Sequence, residues 1–159
     1  MDSYKTRIPQ LALCIILTCI FSLRAHAGDI KGIAGYTLGE PLDKKLVLNS
    51  QKANDGANVY IVKLLKPEKL VATLAIRITQ AQQIHRISAF SPVMTAVECE
   101  NEMAALRKQT EKEFPALSYY AMDQSEMFYQ DDRTYTLECV SSEAGLRLRQ
   151  EYSDDKLAK

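Results

Sequence analysis

Three side chains of types that can take part in catalysis lie far apart in this sequence. His85, Glu138 and Arg149 supply an imidazole, a carboxylate and a guanidinium group, which enzymes use as general bases, general acids and anion-binding groups. His85 has no cysteine or carboxylate near it in the sequence, so a catalytic role would need partners supplied by the fold. We therefore predict no catalytic residue. The alternative is a small hydrolase or ligand carrier whose site is assembled by folding from these three scattered residues.

Other polar pairs lack the pattern that their chemistry requires. Asp131-Asp132 and Asp154-Asp155 do not alternate oxygen ligands as a calcium loop does. Ser141-Ser142 lacks the flanking glycines of a nucleophile elbow. The glycines within residues 32–39 are not followed by the Lys-Ser/Thr of a phosphate-binding loop. The sequence therefore predicts no metal site and no cofactor.

The N-terminal segment has the three parts of a secretory signal peptide. Lys5 and Arg7 precede an uninterrupted apolar run over residues 11–23, and the small-x-small tripeptide of residues 25–27 follows it. The apolar run is shorter than the roughly 20 residues of a membrane-spanning helix. We therefore predict that residues 1–27 form a cleavable leader.

Cleavage between Ala27 and Gly28 would leave residues 28–159 as a single domain, located in the periplasm or secreted. Lipidation at Cys19 and an uncleaved membrane anchor are the alternatives. The 132 remaining residues carry 17 basic and 19 acidic side chains, a balance that argues against a nucleic-acid partner. The polar tail, residues 153–159, is expected to fray.

Two cysteines remain after removal of the leader, Cys99 and Cys139. Cys99 lies on the apolar stripe of a predicted helix, and Cys139 shares the inward face of a predicted strand with Tyr135 and Leu137. Exported proteins fold where thiols oxidise, so the sequence predicts a structural disulfide between them. The alternatives are a redox pair and two metal ligands, but the sequence has neither CxxC spacing nor a histidine cluster.

An aromatic and sulfur-rich cluster follows the predicted helix. It comprises Tyr119, Tyr120, Met122, Met127, Phe128 and Tyr129. Because strand residues alternate between faces, about half of these side chains should point outward, and tyrosine and methionine favour protein-binding surfaces. We predict a binding surface here. The alternative is that the cluster fills the core opposite the helix.

The pattern of apolar residues predicts an α+β fold. Strands are predicted over residues 58–65, 70–78 and 84–90, and a T-x-x-E capping box begins a helix over residues 95–114. Further alternating strands follow the helix. The predicted order is β-β-β-α-β-β-β, with a mainly antiparallel sheet packed against one long amphipathic helix.

Four general features can be compared with known families: the cleavage point at residues 25–29, the Tyr36-Thr37-Leu38-Gly39 turn, the single long-range cysteine pair and the helix-plus-sheet order. Together they resemble small periplasmic proteins of Gram-negative bacteria. The resemblance implies no particular activity, because that group has no shared catalytic motif. We therefore expect a non-enzymatic binding or envelope-associated module that acts through a sheet face or edge. Its expected partner is another envelope protein.

Overall fold

The computed structural model describes residues 29–122 and 124–159. These residues form ten strands, a short 3₁₀ turn (Lys44–Leu46) and one long helix, α1 (Ala96–Glu113). The strands are β1 (Gly32–Ile33), β2 (Tyr36–Thr37), β3 (Val47–Lys52), β4 (Asn58–Val62), β5 (Thr73–Ile78), β6 (Ile84–Phe90), β7 (Ser118–Met122), β8 (Ser125–Gln130), β9 (Arg133–Ser142) and β10 (Gly145–Asp154). The predicted cleavage site between Ala27 and Gly28 lies outside the described residues.

Eight of the strands form one antiparallel sheet in the order β3-β4-β5-β6-β10-β9-β8-β7, while β1 and β2 form a separate hairpin. The sheet consists of two meanders, β3 to β6 and β7 to β10, which meet where β6 pairs with β10. The helix α1 connects β6 at the centre of the sheet to β7 at its edge. The two outermost strands are therefore β3 and β7.

The predicted fold class is confirmed in its coarse form, because a mainly antiparallel sheet packs against one long helix. The predicted order β-β-β-α-β-β-β is not the observed order. Besides the three predicted strands, β3 and the β1–β2 hairpin also precede α1, and four strands follow it. The edge strand β3 has the sequence VLNSQK and is mostly exposed. Its last four residues are polar, so the segment lacks the apolar alternation on which the strand prediction relied.

The helix begins at the predicted capping box. Thr95 Oγ1 accepts a hydrogen bond from the Glu98 N–H at 3.2 Å, and the Glu98 carboxylate accepts one from the Thr95 N–H at 2.8 Å. At the other end, the Phe114 N–H donates to the Thr110 carbonyl. Pro115 follows and has no N–H with which to extend the helix. The local sequence therefore determines both ends of α1.

The predicted disulfide is present between Cys99 of α1 and Cys139 of β9. Cys99 is fully buried, and Thr110 is the other buried residue of the helix. Met103 and Leu106 pack against the core while partly exposed. Because α1 buries so few side chains, the covalent link is a large part of what holds it to the sheet.

One face of the sheet carries both α1 and the N-terminal segment, residues 29–46. Directly opposed residues of antiparallel strands share a face, and Tyr135, Tyr152 and Ile87 are register partners on this face. The N-terminal segment packs mainly on β4 to β6, with Ile30 reaching the second apolar cluster, and α1 packs over β9 and β10. Tyr152 contacts both apolar clusters and joins them.

None of the helices and strands within residues 29–122 and 124–159 covers the other face, which we call the open face. Its middle row of register partners runs from Ile61 on β4 through Ala75, Ser88 and Glu151 to Met127 on β8. Antiparallel sheets tolerate one solvated face. The side chains of this row range from apolar, as in Ile61 and Met127, to charged, as in Glu151.

The last strand extends further than the sequence predicts. Ser153 and Asp154 belong to β10 and are buried, and the Asp154 carboxylate accepts hydrogen bonds from the side chain of Arg133 and the N–H of Leu157. These two residues of the tail that was expected to fray are therefore part of the sheet. No helix in the described part of the chain is long and apolar enough to cross a membrane.

Candidate functional site

The six residues of the predicted aromatic cluster do not lie on one surface. One of them is buried in the core, and the others lie on the two faces of β7 and β8. Phe128 is 1% exposed and packs in the core beneath α1, so it is not part of a surface. The remaining aromatic residues, Tyr119, Tyr120 and Tyr129, are exposed, as is Met122. Met127 is half-buried.

Four of the six residues form a continuous patch on the open face, which we call the edge patch: Tyr120, Met122, Met127 and Tyr129. Tyr120 and Met127 are register partners on β7 and β8. The hydroxyl of Tyr129 donates to the sulfur of Met127 at 3.2 Å. Tyr119 points to the helix-bearing face, where its ring centroid lies 5.1 Å from that of Phe128. Both faces of β7 therefore present an aromatic side chain.

The strand β7 lies at the edge of the sheet, and no described strand pairs with its outer side. All five of its residues, SYYAM, are exposed, and none is charged or proline. The opposite edge, β3, has a register irregularity between Val47 and Asn49 and ends in Lys52. Bulges and lysines are the features with which proteins protect edge strands from pairing. The edge at β7 has neither.

A shallow depression of about 470 Å³ lies beside the edge patch. Tyr120, Met122, Ser125 and Glu138 contribute to its lining. It is polar at Glu138 and apolar at Tyr120 and Met122. A depression of this composition can receive one side chain of a segment lying alongside β7.

The three scattered polar residues are not brought into one site. Glu138 and Arg149 are register partners on β9 and β10 and form an ion pair on the open face. His85 lies on β6, five residues before Phe90, the register partner of Arg149. At about 3.3 Å per residue, His85 is about 16 Å away along the strand. The geometry does not support a hydrolase or carrier site built from these three residues.

His85 occupies the irregularity between β5 and β6, where it is the extra residue of β6. Burial, and then the positive charges of Arg86 and Arg77, lower the pKa of its imidazole. Its Nδ1 atom is buried without a hydrogen-bond partner among the described residues. A neutral imidazole is consistent with a structural position in the bulge.

A second candidate site is the cleft between α1, the N-terminal segment and the loop that joins β4 to β5. Its volume is about 530 Å³. Apolar side chains such as Leu70, Leu106 and Phe114 form part of its walls. Lys69 of the loop and Glu102 of α1 face each other at 3.9 Å, but Lys69 is largely exposed, so this contact contributes little to stability.

The floor of this cleft is polar and buried. The Tyr135 hydroxyl donates to Gln150 Oε1 at 3.0 Å, and the Tyr135 and Tyr152 rings stack with centroids 4.5 Å apart. Burial raises the pKa of Tyr152 to about 12 and holds that of Tyr135 well above its usual value. Both phenols therefore stay protonated and remain hydrogen-bond donors. The cleft combines apolar walls with a polar floor, as small-molecule sites do, and charged residues such as Asp29, Lys31 and Glu113 also line it.

The sequence indicated Tyr135 and Tyr152 as inward residues of alternating strands, but it gave no sign that they meet. Their proximity depends on the pairing of β9 with β10, in which Tyr152 lies opposite Tyr135. Gln150 lies between the inward residues Leu148 and Tyr152 in the alternation of β10, but a glutamine at an inward position does not by itself indicate a binding site. The cleft was therefore missed.

The polar pairs Asp131-Asp132 and Ser141-Ser142 lie at or next to turns between strands. Asp131-Asp132 forms the turn between β8 and β9, with a φ of 53° at Asp131. Ser142 Oγ donates to the Gly145 carbonyl at 2.7 Å within the β9–β10 turn. Among the described residues, no group of three or more His, Cys, Asp or Glu side chains is arranged to hold a metal ion.

Comparison of this chain with protein-family models, with curated proteins and with solved structures gives no match.

Proposed function

We propose that this chain is an exported, non-enzymatic binding module of the bacterial envelope. It accepts an extended segment of another envelope protein as an additional strand beside β7. The observation that carries the proposal is the outer edge of β7, five exposed residues without charge or proline and without a described pairing strand. Periplasmic location rests on the predicted leader, and the Cys99–Cys139 disulfide supports it because such bonds persist in oxidising compartments.

Strand addition suits this edge because the backbone of an outer strand offers unpaired N–H and C=O groups along one side. A partner segment that pairs with them gains main-chain hydrogen bonds, and its alternating side chains supply specificity. The protected edge at β3 lacks this capacity, since its bulge displaces Leu48 and its neighbours from a regular ladder. The asymmetry between the two edges favours β7 as the binding edge.

The side chains of β7 would add to the backbone pairing on both faces. A strand beside β7 would place alternate residues against Tyr120 and Met122 on the open face and against Tyr119 on the other face. Cross-strand aromatic pairs contribute about 0.2–1 kcal/mol each. The segment that fits best therefore carries apolar or aromatic side chains at consecutive positions, so that both faces are used.

Site-specific photo-crosslinking in the exporting cell tests this proposal. A photoreactive phenylalanine analogue replaces Tyr119 in one variant and Tyr120 in another. We expect both variants to crosslink to the same segment of one envelope protein, at residues that are adjacent in sequence and face opposite sides of a strand. Mass spectrometry of the crosslinked peptides gives these positions.

Leu48 provides the matched control, because it is 68% exposed on the opposite edge strand. The analogue at position 48 should yield no crosslink to that segment. Crosslinks from positions 119 and 120 to residues three or four apart would indicate a bound helix instead. Crosslinks to a second copy of this chain, or none at either position, would also contradict the proposal.

A second function, carriage of a small uncharged molecule, is favoured by the two phenol groups, Tyr135 and Tyr152, on the floor of the cleft. Isothermal titration calorimetry of the purified protein with p-cresol should show a saturable heat change. The variant Ala105→Arg fills the cleft from an exposed position and should abolish the change. An equal response in both proteins would rule out the cleft as the site.

A further inference from the structure

The open face carries a groove at some distance from the edge patch, between β4 and β10. Its volume is about 550 Å³. Its lining contains two kinds of side chain. The apolar group is Val59, Ile61, Ala75 and Phe90, and the basic group is Arg77, Arg86, Arg147 and Arg149. We call this feature the arginine groove.

The arginines form two pairs, one towards each end of the groove. Arg77 of β5 and Arg86 of β6 are direct register partners on the open face, although like charges in that position destabilise a sheet. Arg147 and Arg149 project from the same face of β10. Four guanidinium groups therefore surround one groove.

The carboxylates of the described residues neutralise only part of this charge. Asp55 pairs with Arg77 at 2.6 Å, Glu151 lies 3.8 Å from Arg86, and Glu138 pairs with Arg149. Arg147 forms no ion pair within residues 29–122 and 124–159. The groove therefore has one more positive than negative side chain.

The unpaired hydrogen-bond donors of the groove are a second, independent indication that it binds an anion. The Nε atoms of Arg86, Arg147 and Arg149 are buried and have no acceptor among the described residues. A buried donor without an acceptor costs free energy that an added acceptor recovers. Carboxylates, sulfates and phosphates are the acceptors whose geometry matches the guanidinium fork.

We propose that the arginine groove binds one amphiphilic anion, a small molecule with an aliphatic chain and a single carboxylate, sulfate or phosphate head group. The head group lies against Arg147 and Arg149, and the chain lies across Ala75 and Ile61. From β4 to β10 the groove spans three strand spacings, about 14 Å, which limits the occupant to a single small molecule. The apolar side chains distinguish this ligand from a simple inorganic anion.

Isothermal titration calorimetry of the purified, disulfide-bonded protein with decanoate, below its micelle-forming concentration, tests the proposal. We expect saturable binding with one decanoate per chain. Acetate has the head group alone and decyl glucoside has the chain alone, so each should bind at least about tenfold more weakly, because either loses one of the two groups of contacts. Equal binding of decanoate and either control would overturn the proposal.

Variants locate the site. Arg147→Gln should weaken decanoate binding about tenfold or more, because it removes a charge-assisted contact. Lys108→Gln makes the same change of charge at an exposed position on α1 and should leave the affinity unchanged. Equal affinities for the two variants would contradict the proposal, as would cosedimentation with anionic phosphatidylglycerol vesicles in the absence of decanoate binding. The comparison of decanoate with its two controls uses the unmodified protein and does not depend on whether a variant folds.

Discussion

Cys99, in the first turns of α1, and Cys139, near the middle of β9, are joined by a disulfide with their Cα atoms 6.1 Å apart. Leu148 of β10 lies opposite Cys139 and is fully buried on the same face. The bond therefore anchors the helix over the second half of the sheet. It also fixes one wall of the cleft whose floor is formed by Tyr135 and Tyr152.

Removal of this bond should lower the free energy of unfolding strongly. The two cysteines are 40 residues apart in sequence, and a loop of this length corresponds to about 4 kcal/mol in the chain-entropy model. We expect the double variant Cys99→Ala/Cys139→Ala to lose about this much free energy of unfolding, measured by urea denaturation. An unchanged urea midpoint would contradict the role assigned to the bond.

Because Phe128 lies in the core and Tyr120 on the surface, replacing each by alanine should have very different effects on stability. Phe128→Ala should lower the free energy of unfolding by about 3–5 kcal/mol, because it leaves a cavity beneath α1. Tyr120→Ala should change it by no more than about 0.5 kcal/mol, because Tyr120 is 55% exposed. Thermal unfolding followed by circular dichroism compares them. A large loss for Tyr120→Ala would mean that the edge patch belongs to the core.

The buried carboxyl group of Glu126 should make the stability of the fold depend on pH. Burial raises its pKa above the usual 4.5, Glu111 adds to this effect, and the Arg107 guanidinium at 3.1 Å opposes it. The folded state therefore binds the proton more tightly than the unfolded state does. Stability from this group is fully present below pH 4.5 and is lost as pH rises through the raised pKa.

Glu126→Gln should therefore raise the free energy of unfolding at pH 7 and have little effect at pH 3. Urea denaturation at the two pH values measures the difference. Glu143→Gln, in the exposed β9–β10 turn, is the control and should show no such dependence. If Glu126→Gln were destabilising at pH 7 alone, attraction to Arg107 would outweigh the cost of burial.

Features that depend on neighbouring residues could be predicted from the sequence. The capping box at Thr95 and Glu98 needs only four residues, and the inward positions of Tyr135 and Cys139 follow from strand alternation. The disulfide was predicted from two inward-facing cysteines in a chain that was expected to be exported. The capping box and the strand alternation are determined by local geometry, whereas the disulfide also required two distant cysteines to face the same interior.

Features that depend on sheet order could not be predicted. The pairing of β6 with β10 places Arg86 beside Glu151 and brings Arg149 into the same groove, yet these residues are over 60 positions apart. Both the arginine groove and the floor of the cleft arise from such pairings. Phe128 shows the same limitation within the aromatic cluster, because alternation separates the two faces of β8 but does not tell which face α1 covers.

Amide hydrogen exchange over residues 118–122 tests the central claim most directly. The partner segment identified by crosslinking is synthesised as a peptide, and exchange is measured in the free protein and in the complex. We predict that exchange in β7 slows strongly on binding, while exchange in β3, residues 47–52, stays unchanged. Unchanged exchange in β7 in the presence of saturating peptide would contradict the account.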